Sequence, residues 1–231
     1  MSFAAVLALG FFLGMRHATD ADHVVAVSTI VSRERSLRAA APVGLLWGIG
    51  HTLTVLLVGG AILVFGVVIP PRLGLTLELT VAFMLVALGA LNVRGVVLEA
   101  GAGAVAAGGA AVLADRPVGA QARAVRPLLV GVVHGLAGSA AVALLVLGTL
   151  RDPVVGVAYL VVFGAGTIAG MLLITTAFAL PIALSARRFA RLHRALALTT
   201  GLASAAFGAL LVYQIGFVHG LFTSHPIWTA Q

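Results

Sequence analysis

The sequence predicts an all-α fold, a polytopic membrane bundle of about six transmembrane helices. Three observations predict it. Apolar residues make up 61% of the chain and charged residues only 9%, whereas a soluble domain is roughly a quarter charged. Mean hydropathy is +1.15. The apolar residues also gather into six long stretches, residues 3–31, 42–69, 75–98, 127–150, 154–184 and 195–222. Each exceeds the ~20 residues that a helix needs to cross ~30 Å of hydrocarbon. Only helices or closed barrels satisfy the backbone in lipid, and these runs are far longer than barrel strands.

The charged residues set the topology. All 14 basic residues are Arg, and the formal charge is +7 with a pI near 11.6. Nucleic acid is not the implied partner, because the Arg residues lie between apolar runs rather than on a polar face. Connections one, three and five hold eleven of them, from Arg33 to Arg194, whereas connections two and four hold only Arg72 and Arg151. The positive-inside rule places the Arg-rich connections in the cytoplasm and both termini outside. The N-terminus has no basic leader region and no clear cleavage site, so no removable signal peptide is expected. With no cysteine, disulfides and thiolate metal sites are excluded.

An Ala/Gly-rich segment, 99–126, reads as a flexible cytoplasmic linker between two three-helix halves, 1–98 and 127–231. Three helices per half would start the second half on the opposite side, which permits a 3+3 inverted repeat. Residues 45–53 and 128–136 agree at five of nine positions, including Gly48/Gly131 and His51/His134. Those two helices would run parallel, so this match is not the inverted pairing. Gly164, Gly166 and Gly170 read as a close-packing face on the fifth helix.

The most informative run is Arg16-His17-Ala18-Thr19-Asp20-Ala21-Asp22-His23, five ionisable side chains inside an apolar stretch. The thirteen apolar residues before it make only ~20 Å of helix, too short to span. The cluster therefore sits at membrane depth, where ionisable groups mark function by default. On an unbroken helix His17, Asp20 and His23 share one stripe. Asp22 points elsewhere, as a partner that orients an imidazole or as the sign of a helix break. Arg16 is expected to pair with an aspartate.

Other histidines reach similar depth. His51 and His134 follow Pro42 and Pro127 by nine and seven residues, which places them ~10–14 Å into their helices. His17, Asp20, Asp22, His23, His51 and His134 are the candidate metal ligands. Each lone histidine also has the plainer reading of an interhelical hydrogen bond. His193 reads as a cytoplasmic loop residue, and His219 and His225 as interfacial. Thr167, Thr175 and Thr176 are expected to bond helix backbone, and Asn92 with Arg94 to form a helix-end pair. Imidazole with some carboxylate suits Ni, Co, Zn, Cu or Fe rather than Mg or Ca.

His17, four residues, then Asp22-His23 resembles the His-x4-Asp-His signature of the nickel/cobalt transporter family. Gly48-Ile49-Gly50-His51-Thr52 is similar to that family's next helix motif. Residues 133–139 and 163–171 resemble its compact, urease-associated six-helix branch. The resemblance implies that the first motif lies on a helix and serves metal recognition. Larger members carry further acidic motifs in the second half, whereas this chain has no acidic residue after Asp152. His134 and Thr167 stand in their place.

The leading expectation is a secondary transporter that takes Ni²⁺ or Co²⁺ inward across a bacterial inner membrane, with the ion as substrate and no catalytic cofactor. No Walker-type phosphate loop is present. The competing readings are a membrane metal-dependent hydrolase and a non-transporting accessory subunit for metal delivery. A hydrolase needs a general base and an open coordination position, and the only carboxylates near the cluster are Asp20 and Asp22. The expected partners are a divalent ion and lipid, with self-association left open.

Overall fold

The computed structural model describes residues 2–34, 36–66, 69–106, 120–137 and 152–228. Seven α-helices make up the described chain: α1 Phe3–His17, α2 Ala21–Val31, α3 Leu37–Phe65, α4 Pro71–Ala106, α5 Ala120–Leu136, α6 Pro153–Arg188 and α7 Ala190–Tyr213. A π-helical turn, Gln214–Val218, extends α7. No strand occurs among the described residues. Four stretches are long and apolar enough to cross a membrane: Leu37–Phe65, Pro71–Glu99, Pro153–Leu184 and Arg191–Val218. The molecule is a helical membrane protein. Residues 138–150 of the expected fourth span lie outside the described residues, as do residues 107–119 of the linker.

The first apolar stretch departs from expectation. It is not one helix but two, α1 and α2, of 15 and 11 residues, or about 22 and 16 Å long. Residues 18–20 form the turn between them, with the Thr19 N–H on the Arg16 carbonyl and the Asp20 N–H on that of His17. The Thr19 hydroxyl also donates to the Arg16 carbonyl, at 2.5 Å. These bonds satisfy carbonyls that a helix end leaves without partners. Asp20 then turns extended, with φ −60° and ψ 147°, and opens α2. A discontinuous helix is tolerated at membrane depth only where it is buried in protein or lines a cavity.

Two further differences concern helix ends. α4 continues through Ala106 and α5 begins at Ala120, so both ends of the expected linker are helical. His193 lies in the first turn of α7 rather than in a loop. α3 behaves as its sequence suggests. The Ser36 hydroxyl accepts from the Ala39 N–H at 3.2 Å, and Gly66 closes the helix at φ +62°, where its N–H meets the Ile62 carbonyl.

Small residues set how the helices cross. α1 packs on α6, α3 on both α5 and α6, and α4 on α7. A Cβ placed on Gly14 would strike the Phe163 carbonyl, and one on Gly166 the Phe11 carbonyl. In the same way Gly131 abuts the Trp47 carbonyl and Gly50 that of Leu128. The order of contacts makes α1 parallel to α6 and α3 parallel to α5, the latter as expected from alternating spans. α3 runs antiparallel to α6, and α4 to α7. Without a hydrophobic drive in lipid, such backbone approach supplies van der Waals contact that larger residues would prevent.

Outward-facing Phe12, Leu57, Phe83, Leu91, Leu173 and Leu202 are all more than half exposed, and they form the apolar surface that lipid requires. The short α2 lies inside, against α4, α6 and α7. Beyond α7 the chain returns over the start of α4, where the Trp228 indole donates to Glu78 Oε1 at 2.7 Å. At the other end Arg33 pairs with Glu99.

The glycine crossings predict a contrast. Gly131→Val should cost about 1–3 kcal/mol through overpacking. Gly60→Ala, where a Cβ meets nothing within 4 Å, should leave stability unchanged or slightly raised. Melting temperatures of both variants in detergent check this. A Gly131→Val protein as stable as the parent would refute the α3–α5 crossing.

Candidate metal site

The break between α1 and α2 turns the ionisable run into a cluster. Asp20 opens α2, but its carboxylate does not cap the helix. It accepts instead from His17, with Nδ1 to Oδ2 at 2.7 Å. Asp22, in the first turn of α2, serves the helix end that Asp20 leaves. Its Oδ1 accepts from the His23 backbone N–H at 2.9 Å and lies 3.1 Å from His23 Nδ1. Its second oxygen lies 3.1 Å from His134 Nε2 on α5. A carboxylate is also favoured there by the helix dipole.

The stripe expected on an unbroken helix therefore does not form. The turn rotates α2 so that Asp22, not Asp20, faces the histidines of the core. Asp20 stays near the edge, its side chain 44% exposed, and its carboxylate pairs with His17. Arg16 is exposed, and the described ion pairs of the cluster are all made by imidazoles.

Three other histidine rings surround His23. Ring centroids lie 4.8 Å away for His17, 5.2 Å for His51 and 4.6 Å for His134. His23, His51 and His134 are fully buried and His17 nearly so. His17 Nε2 and His51 Nε2, on different helices, stand 3.1 Å apart. Two three-residue groups have ligand atoms within 4.8 Å of one another: His17, His23, His51 and Asp22, His23, His134. The structure thus brings together His17, Asp22, His23, His51 and His134, with Asp20 behind His17.

The cluster carries unspent capacity. Among the described residues, His23 Nε2, His51 Nδ1 and His134 Nδ1 are buried with no hydrogen-bond partner, a situation that costs about 1–3 kcal/mol per group. With Asp20 holding a proton on His17 Nδ1, the neutral ring presents its Nε2 lone pair toward His51.

Sequence reasoning missed three neighbours. Trp47 is fully buried, with its ring 5.3 Å from His134 and 6.1 Å from His23. It stands one turn before His51, a spacing that puts both on one helix face. Phe163 lies 5.6 Å from His17. Asn92 is buried within α4 and is no helix-end residue. Its amide donates to the Thr29 carbonyl, the Ser32 hydroxyl and the Ala197 carbonyl at 3.3, 3.0 and 3.1 Å. It thereby holds the far end of α2, whose near end carries Asp22 and His23. Thr167 and Thr176 bond backbone as expected, but the buried Thr175 hydroxyl has no partner among the described residues.

Known proteins resemble this chain. Residues 3–98 match the model of the NicO family, described as high-affinity nickel-transport protein. The urease accessory protein UreH of Bacillus sp. (strain TB-90) is 37% identical over 220 residues, covering 94% of this chain and 95% of that protein. The chain belongs to the NicO nickel-transport family. No solved structure matches it. The family match covers the half that holds α1 to α3 and most of the cluster. The UreH match extends across α5, which contributes His134.

As the tether of α2, Asn92 generates a prediction. Asn92→Ala should lower stability by about 1–2 kcal/mol, the upper range for interhelical hydrogen bonds in membrane proteins. Amide exchange should quicken within Ala21–Val31 before other helices. Unchanged protection of α2 would show that the tether is energetically idle.

Proposed function

We propose that this protein is a secondary transporter that carries Ni²⁺, or Co²⁺, into the bacterial cytoplasm through the His/Asp cluster. The observation that carries this reading is the approach of His17 and His51. Their Nε2 atoms stand 3.1 Å apart on two different helices. With metal–nitrogen bonds of about 2.0–2.1 Å, one cation between them would subtend an angle of about 95–102°. That lies between octahedral and tetrahedral values, so the pair holds the spacing of two ligands to one ion. Burial, the carboxylate behind His17 and the unspent nitrogens on His23, His51 and His134 support the same reading.

Membership of a nickel-transport family favours nickel as the substrate. The name of the UreH relative favours a link between this metal and urease. That name also keeps a second reading in play, a non-transporting accessory role. A hydrolase has less support. Both aspartates are engaged with imidazoles, which leaves neither free as a general base. An inside-negative potential would favour inward movement by ~2.3 kcal/mol per charge per 100 mV.

Uptake of Ni²⁺ into liposomes that contain the purified chain alone decides among these readings. Accumulation driven by an inside-negative potential is expected. Binding without accumulation would leave the accessory role. His23→Ala should abolish binding. Asp20→Asn should weaken it about 10- to 100-fold, the usual loss when a partner that orients a ligating imidazole is removed. Parental affinity in His23→Ala would end the proposal.

The Arg asymmetry places both termini outside and the start of α3 in the cytoplasm. The chain has no native cysteine, so a Ser36→Cys protein carries a single label site. It should react with membrane-impermeant maleimide only after the cells are opened. Labelling of intact cells would reverse the orientation.

A further inference from the structure

Resting on the proposal that the cluster carries the ion, we infer that it is two overlapping sites used in turn, joined by His23. One is His17, His23 and His51; the other is Asp22, His23 and His134.

Distances separate them. Ligands on opposite sides of one ion stand at most about 4.2 Å apart when each bond is about 2.1 Å. Within each triad the ligand atoms fall within 4.8 Å of one another, and among the described residues all five side chains do not converge as one such set. A small closing motion completes either triad. Completing both around one ion would need a larger rearrangement.

The fold supplies a reason for two. The chain repeats itself across its halves. Trp47-Gly48-Ile49-Gly50-His51 recurs as Phe163-Gly164-Ala165-Gly166-Thr167, 116 positions on. Gly14, then His17 three residues later, recurs as Gly131 and His134, 117 positions on. The contacts repeat as well. Gly14 of α1 abuts the Phe163 carbonyl of α6, and Gly131 of α5 abuts the Trp47 carbonyl of α3. Gly48 faces Ile168, and Gly164 faces Thr52, again residues 116 apart. Exchanging α1 with α5, α3 with α6 and α4 with α7 leaves the packing pattern unchanged. Since α1 and α5 enter from opposite sides, the relation is an inverted repeat.

His17 and His134 are therefore the same position in opposite halves, each one turn beyond its glycine crossing. They reach His23 from helices that belong to different halves. His23 belongs to the same half as His17 and His51, so rocking one half against the other carries His134 toward or away from His23 while His17 and His51 stay with it. An ion first held by His17, His23 and His51 would keep His23, release His17 and His51, and gain Asp22 and His134. Transport through one fixed site requires opening that site to both sides. Two half-sites that share a ligand let the ion advance while one bond is always kept.

The test uses Ni²⁺ with the parent chain, His51→Ala, His134→Ala and the double variant, all in liposomes. His51→Asn and His134→Asn, together with melting temperatures, identify any loss that comes from misfolding. One ion per chain is expected to bind to the parent and to each single variant, whereas accumulation is lost in each single variant. The double variant should lose binding. Abolished binding in either folded single variant would point to one site and overturn the two-site scheme, as would a single variant that accumulates Ni²⁺ at the parental rate. Failure of the parent to bind or accumulate Ni²⁺ would instead refute the transporter reading itself.

Discussion

Hydrocarbon accepts neither loose backbone nor a lone carboxylate, and the rest of this structure follows from how Asp22 meets that constraint. Its two oxygens face one backbone N–H and two imidazoles. Those contacts close the start of α2 and bind it to α5, which belongs to the other half of the chain. A continuous helix would turn Asp22 away from these partners. The turn at 18–20 is therefore the condition for burying the motif at all. Asp20 can face His17 only because Asp22 satisfies the helix end in its place.

The break needs close neighbours. Two short helices with a turn at membrane depth must be enclosed, and α6 encloses them through Gly166 and Gly170, which touch Phe11, Met15 and Ala18. Across the bundle Gly50 and Gly131 bring α3 and α5 to a similar approach, and so carry His51 and His134 inward. Glycine costs helix propensity, but here it converts helix faces into contact surfaces. Many large apolar side chains face lipid, whereas Trp47, Tyr159, Phe163 and Met171 are fully buried. Trp47 stands against His23 and His134, where it limits their freedom to turn.

The helical membrane architecture was legible from hydropathy alone, because span length is a direct physical requirement. So was the cluster, since ionisable residues are rare at that depth. The helix break was only half legible. Asp22 lies off the stripe of His17 and His23 on an ideal helix, a conflict that periodicity can show but cannot resolve. Resolution needs the partner on α5, 112 residues away. Asn92 was misread because its partners on α2 and α7 are distant in sequence, while its neighbour Arg94 suggested a helix end. The inverted repeat inferred above is hidden in the sequence behind the more visible match between His51 and His134, on two helices that pack in parallel. Its true counterparts, His51 and Thr167, differ in chemistry and agree only in the glycines before them.

The same details bear on whether such a cluster holds an ion or passes it on. In a site built for retention each ligating imidazole has its other nitrogen anchored, which sets its orientation and raises its basicity. Here His17 is anchored by Asp20 and His23 by Asp22. Among the described residues, His51 Nδ1 and His134 Nδ1 have no such partner. The anchored rings lie on the broken first stretch, and the unanchored ones come from α3 and α5. A cation would therefore meet two anchored rings, His17 and His23, and two looser ones, His51 and His134. Thiolates, which would bind soft metals too firmly to release, are absent from the chain. Weak anchoring at the flanking rings lowers the cost of exchanging one for another, and a carrier needs that exchange more than it needs affinity.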